Sequence, residues 1–160
     1  MSVRPAKFSD IPRLYALLQE GYERSKYREH GTVDEKATKA LLMQTVQRHG
    51  LKTAGGTCAF VSESGGIVDG MIVGALNRVY FIGSKLMAQD VFFYTSALAN
   101  PRSAGALLDA FIAWAVANEN VFEIKPSATD IIGDPRRVEK LYLRKGFRQC
   151  GAIFERRIER

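Results

Sequence analysis

Cysteine and histidine are scarce in this 160-residue chain, and its apolar runs are short. Cys58 and Cys150 are the only cysteines and lie far apart, which excludes a disulfide framework and a cysteine metal site. They read as two reduced thiols of a cytoplasmic protein. His30 and His49 fall on polar stretches expected to be exposed, with no ligand spacing around them, so no metal is assigned. No apolar segment approaches the roughly 18 residues that cross a bilayer, so no membrane role is expected. The start, Met1-Ser2-Val3-Arg4-Pro5, lacks the apolar core of a secretory signal. Internal repeats, low-complexity tracts and domain-splitting linkers are also missing, so residues 1–160 read as one domain.

The chain does have an ordinary globular balance, 46% hydrophobic and 25% charged, and enough length to bury a core without staples. Its net charge of +6 suits a partner that carries phosphates. Nucleic acid is the weaker such partner. The basic residues are scattered apart from Arg136-Arg137, Arg144-Lys145 and Arg156-Arg157, and no zinc-finger or RNP-type motif accompanies them.

Periodicity supplies the elements. Val3–Ala6 reads as a short strand. Ser9 or Asp10 caps a helix with Pro12 in its first turn and Leu14, Leu17 and Leu18 on one face. Asp34 opens a second helix carrying Ala37, Leu41, Leu42 and Val46. Three strands follow, over 57–62, 67–80 and 89–95, with Gly65-Gly66 as a hairpin turn between the first two. Leu107, Leu108, Phe111, Ile112, Trp114 and Ala115 mark a strongly buried helix over 103–118. Then come a strand over 121–124, a helix over 135–145 and a last strand over 147–158. The order is β-α-α-β-β-β-α-β-α-β.

The most informative segment is Val138-Glu139-Lys140-Leu141-Tyr142-Leu143-Arg144-Lys145-Gly146-Phe147. An amphipathic helix ends with Lys145 in its last turn and Gly146 at the C′ position, where only glycine adopts the left-handed conformation without strain. Phe147 starts a new extended run. This Leu-Tyr ending before Gly-Phe resembles the closing motif of the GNAT superfamily, the acyl-CoA-dependent N-acetyltransferases. The element order matches that family over the whole chain. Asp90-Val91-Phe92-Phe93-Tyr94, the helix bearing Phe111 and Trp114, and Asp134-Pro135 leading to Leu141-Tyr142 are similar to the GNAT-like proteins of bacteriophages and prophages.

The resemblance implies an α/β GNAT fold, with a mixed central sheet of six to seven strands flanked by four helices. It also implies acetyl transfer from acetyl-CoA to a primary amine, on a small molecule or a protein, by direct attack in a ternary complex. The alternative it leaves open is a catalytically silent binding or structural module of the same fold, and a homodimer is one assembly open to it. CoA is expected where the fourth strand splays from the fifth and the third helix begins, on unpaired main-chain amides at a helix N-terminus. Thr95, Ser96 and Ala97 would line the pantetheine arm. Asn100, Arg102, Ser103, Ala104 and Gly105 would hold the pyrophosphate, with Ser103 as N-cap. Arg102-Ser103-Ala104-Gly105-Ala106-Leu107 matches the family loop at its first and fourth positions, but Leu107 replaces a small residue at the last. Asn100-Pro101-Arg102-Ser103 is the alternative equivalent.

In the same resemblance Tyr142 contacts the cofactor and protonates the leaving thiolate, since a phenol near 10 and a thiol near 8.5 are close enough for transfer. Asp90 is the candidate general base, with Glu63 and Glu123 behind it. Many members place an asparagine two turns ahead of the tyrosine, where this chain has Pro135. The acceptor pocket is expected from the basic, aromatic stretch 21–34.

Overall fold

Four antiparallel strands and a parallel fifth form one sheet in the computed structural model, which describes residues 1–80 and 82–158. In chain order the elements are β1 (Ser2–Pro5), α1 (Ile11–Glu23), α2 (Glu35–Gln47), β2 (Thr57–Ser64), β3 (Ile67–Arg78), β4 (Leu86–Thr95), α3 (Ser103–Val116), β5 (Val121–Ile124) and α4 (Arg136–Arg144). The strands lie side by side in the order β1-β2-β3-β4-β5, with only β4 and β5 parallel.

Alternation along β3 builds a core on each face. Met71 and Val73 pack with Leu14 and Leu17 of α1 and Leu42 of α2. Ile72 and Leu76 pack with Leu107, Leu108, Phe111 and Ala115 of α3 and with Tyr142 of α4. The α3 residues form a single stripe that is fully buried. Between Ile72 and Leu76 the chain uses Gly74, because a Cβ there would stand 2.4 Å from Phe111 Cε2. The aromatic ring therefore rests directly on the backbone of β3.

The expected signals at element ends appear in two places. Gly65 and Gly66 have φ of 59° and 78°, the paired positive values of a tight hairpin between β2 and β3. At the end of α4, Gly146 N–H donates to Leu143 O and Phe147 N–H donates to Tyr142 O, both at 3.1 Å, with Gly146 at φ 84°. That pair of bonds is the Schellman closure, and the Tyr142 and Phe147 rings meet across it at 5.7 Å.

Three expectations are corrected. Asp10 stands at the N-cap position of α1 but makes no side-chain capping bond: its carboxylate accepts from Lys7 N–H at 2.7 Å and from Arg4 at 2.8 and 3.0 Å. His49 is half-buried, accepts from Ala59 N–H, and has its ring set edge-on to Phe60. The last strand does not form: residues 148–158 carry no ladder, and the described sheet has five strands rather than six or seven. Ile153 and Phe154 stay exposed, Phe154 at 92%. Side chains tie the segment down instead, with Glu155 on Lys26 and Arg157 beside His30.

Candidate active site

β5 accompanies β4 only briefly. The register runs Leu86↔Val121, Met87↔Glu123 and Ala88↔Ile124, and it closes with Lys125 N–H donating to Ala88 O at 2.8 Å. β4 continues to Thr95 with β3 on one side and, among the described residues, no strand on the other. Ser96 N–H donates back to Asp69 O of β3 at 2.8 Å. Main-chain groups alternate between edges, so Phe93 and Thr95 aim their N–H and C=O at the uncovered side. A bulge begins this splay. The pairs Gly74↔Asp90 and Val73↔Phe92 leave Val91 without a partner. The extra residue inverts the alternation: Leu86 and Ala88 belong to the α3–α4 core, whereas Tyr94, with Phe92 packed beside it, belongs to the α1–α2 core.

Asp90 and Tyr142 meet at the mouth of the splay. Asp90 Oδ1 accepts from Ser127 N–H at 2.8 Å and from Ser127 Oγ–H at 3.3 Å. Tyr142 is 7% exposed, and its hydroxyl donates to Ser127 O at 3.1 Å. Burial pushes the Tyr142 phenol well above its ordinary value, and the neighbouring Asp90 charge pushes it further. Burial also raises Asp90, against the Ser127 donors and the Tyr142 hydroxyl, which pull it down. The phenol thus holds its proton at neutral pH, next to a carboxylate poised above the usual range. The arrangement can give a proton to one atom and take one from another nearby.

The stretch 96–102 joins β4 to α3. Ser96 and Ala97 do not present free amides for pantetheine pairing, because Ser96 N–H is held by Asp69 O and Ala97 N–H by Glu20 at 3.2 Å. Thr95 keeps the uncovered edge. Ser103 is not the N-cap: it is the first residue of α3, buried, with its hydroxyl on Asp69 at 3.2 Å. Asn100 takes over the capping, its Oδ1 accepting from Arg102 N–H at 2.9 Å and its carbonyl from Ser103 N–H at 2.8 Å. Among the described residues, the N–H groups of Ala104 and Gly105 find no acceptor, and Gly105 faces open space. Two bare amides at the start of a 14-residue helix, beside exposed Arg102, fit an anionic group. With the uncovered edge of β4, they fit a thioester carried on a pantetheine arm and a pyrophosphate.

Two functional-looking residues were not legible beforehand. Glu20 of α1 accepts on a single oxygen from Tyr94 OH at 3.0 Å, Ser96 Oγ–H at 3.0 Å and Ala97 N–H. Asp69 of β3 binds the far end of the same loop through Asn100 N–H and Ser103 Oγ–H. A polar residue on a helix face or beside a hairpin looks solvated in sequence, and only the fold shows these two turned toward the loop. The remaining carboxylate candidates lie elsewhere: Glu63 pairs with Arg4 at 2.9 Å and Glu123 with Lys125 at 2.8 Å. Asp134 accepts from Arg136 N–H at the start of α4, next to Pro135. In the stretch expected to form the acceptor pocket, Lys26 bridges Asp130 and Glu155, and Arg24 bonds Tyr94 OH, beside a cavity of about 380 Å³.

No family profile and no curated protein matches the sequence. Solved structures do match the fold. The aminoglycoside acetyltransferase AAC(6')-Iy, solved with a bisubstrate analogue built on CoA, is similar over 99% of this chain and 97% of that one, at 14% identity and a TM-score of 0.72. A ribosomal-protein-alanine N-acetyltransferase from Brucella melitensis covers 100% and 99%, at 14% identity and a TM-score of 0.66. An acetyltransferase of Trypanosoma brucei covers 98% and 99%, at 12% identity and a TM-score of 0.67. At such identities the likeness speaks for architecture: this chain has the GNAT acetyltransferase fold.

Proposed function

We propose that this chain is an acyl-CoA-dependent N-acetyltransferase that moves an acetyl group from acetyl-CoA to a primary amine by direct attack in a ternary complex. The observation that carries the reading is the meeting of Asp90 and Tyr142 where β4 leaves β5. Acetyl-CoA would supply the activated thioester. The uncovered main chain at Phe93 and Thr95 would align it, and the amides of Ala104 and Gly105 would take its phosphates.

Asp90 is the proton acceptor for the attacking amine, and Tyr142 is the donor to the departing sulfur. One N–C bond forms and one C–S bond breaks; the amine gives up one proton and the thiol gains one. Asp90 and Tyr142 are both bonded to Ser127 and feel each other's charge, and return of the proton from the carboxyl to the phenolate leaves the pair as it began. Neither Cys58, which is buried, nor Cys150, which is exposed far along the tail, is needed as a nucleophile. A cytoplasmic setting suits this reading, and no helix among the described residues is long and apolar enough to cross a membrane.

Thiol release from acetyl-CoA, followed with a thiol-reactive chromogen over a panel of amines, tests this. Asp90 must be ionised to act, so kcat/KM falls as pH drops through its raised pKa, above the range of an exposed aspartate. Asp90→Asn removes that acid limb and lowers kcat by roughly 10²–10⁴-fold. A variant that keeps both rate and limb contradicts the role. The second reading, a silent module, draws on the Tyr142 hydroxyl already donating to Ser127 O. Acetyl-CoA binding without thiol release for any amine would favour it.

A further inference from the structure

We propose that Asp69 is the positioning residue of the cofactor loop, a buried carboxylate that fixes where the amides of Ala104 and Gly105 point. This rests on the reading of that loop as the CoA phosphate site.

Asp69 lies in a second bulge. β2 and β3 pair as Ser62↔Gly70 and Glu63↔Val68, leaving Asp69 as the extra residue. A bulge re-aims a side chain, and here it turns Asp69 toward the α3 face, where Gly70 also looks toward Ser62, Thr95 and Leu107. The residue is 7% exposed, yet both carboxylate oxygens are fully engaged. Oδ1 accepts from Ser62 Oγ–H at 2.5 Å and Ser103 Oγ–H at 3.2 Å. Oδ2 accepts from Ser64 Oγ–H at 2.7 Å and Asn100 N–H at 3.2 Å. Its own carbonyl accepts from Ser96 N–H at 2.8 Å.

The distribution of these bonds separates positioning from ordinary core satisfaction. Ser62 and Ser64 anchor the carboxylate to β2, while Ser96, Asn100 and Ser103 are the beginning, apex and end of the loop. Once Asn100 is pinned, its carbonyl and side chain take the amides of Ser103 and Arg102, and Ala104 and Gly105 become the first without a partner. Asp69 therefore decides which amides of α3 are left for an anion. Burial pushes its carboxyl up, but the combined donors outweigh burial and hold it below the ordinary value, so it is ionised at neutral pH.

Asp69→Asn keeps the size of the side chain and turns an N–H₂ group toward donors. Calorimetric titration with CoA, and competition by ADP and by acetylpantetheine, reads the effect in separate arms. The expected result is a loss of about tenfold, the scale of one hydrogen-bonded contact, for CoA and for ADP, with acetylpantetheine unchanged. Ser103→Ala, which removes one link and leaves the carboxylate, shifts CoA and ADP in the same direction by less. Unchanged CoA affinity in both variants overturns the proposal, as does an equal loss for acetylpantetheine, which would mark a general packing role. Wild-type protein that binds neither CoA nor ADP overturns the underlying reading as well, and that outcome is distinct from the other two.

Discussion

Tyr142→Phe lowers kcat for acetyl transfer by roughly 10²-fold or more and leaves KM for acetyl-CoA nearly unchanged. The substitution removes one oxygen and keeps the ring. The ring holds the end of α4 through its contact with Phe147, and the Schellman bonds are main-chain, so the helix stays in place. The hydroxyl loses its bond to Ser127 O, at a stability cost of about 1 kcal/mol. In the proposed reaction what disappears is the proton for the departing sulfur, needed only as the C–S bond breaks, and such a loss falls on kcat rather than on binding. Steady-state thiol release, measured against acetyl-CoA concentration, separates the two. A rise in KM with kcat preserved would make Tyr142 a binding residue only.

The largest structural effect is expected from Phe111→Ala, which destabilises the protein by about 3–5 kcal/mol. Phe111 is fully buried on Gly74, close to Cys58, and stacks on Trp114 at 5.8 Å. The backbone beneath it cannot rise to fill a hole without breaking the pairing of β3, so the cavity persists. Domains of this class have about 5–15 kcal/mol in hand, so the variant loses a large share of its stability. At about 2–4 °C per kcal/mol for a chain of this size, the melting temperature falls by roughly 10 °C. Thermal and urea unfolding of the two proteins side by side give the difference. A loss below about 1 kcal/mol would mean that α3 does not rest on this ring.

Much of this architecture is legible in the residues themselves. The spacing of Leu107, Leu108, Phe111 and Ala115 announces α3, and Gly146 after Lys145 announces the end of α4, because periodicity and left-handed glycine are local signals. The hairpin glycines belong to the same class. Bulges do not. An extra residue at Asp69 or Val91 leaves the local composition of its strand unchanged, and its effect appears only when the neighbouring strand sets the register. Asp69 consequently interrupts an apolar run without showing why, and Ser103 looks like a cap because its real partner is 34 positions away. Glu20 is similar, a polar residue on an amphipathic helix whose contacts with Ser96 and Ala97 arise only from tertiary packing. The last strand fails for the opposite reason. Its residues have strand propensity, but β5 is only four residues long, and Ile153 and Phe154 find no core to pack on and stay exposed.

Isothermal titration of the purified wild-type chain with acetyl-CoA tests the central claim most directly. The uncovered edge of β4 and the two bare amides of α3 predict a single site with micromolar affinity, weakened in Asp69→Asn and preserved in Tyr142→Phe. Absence of binding heat at millimolar acetyl-CoA would contradict the account and leave the GNAT fold without its cofactor.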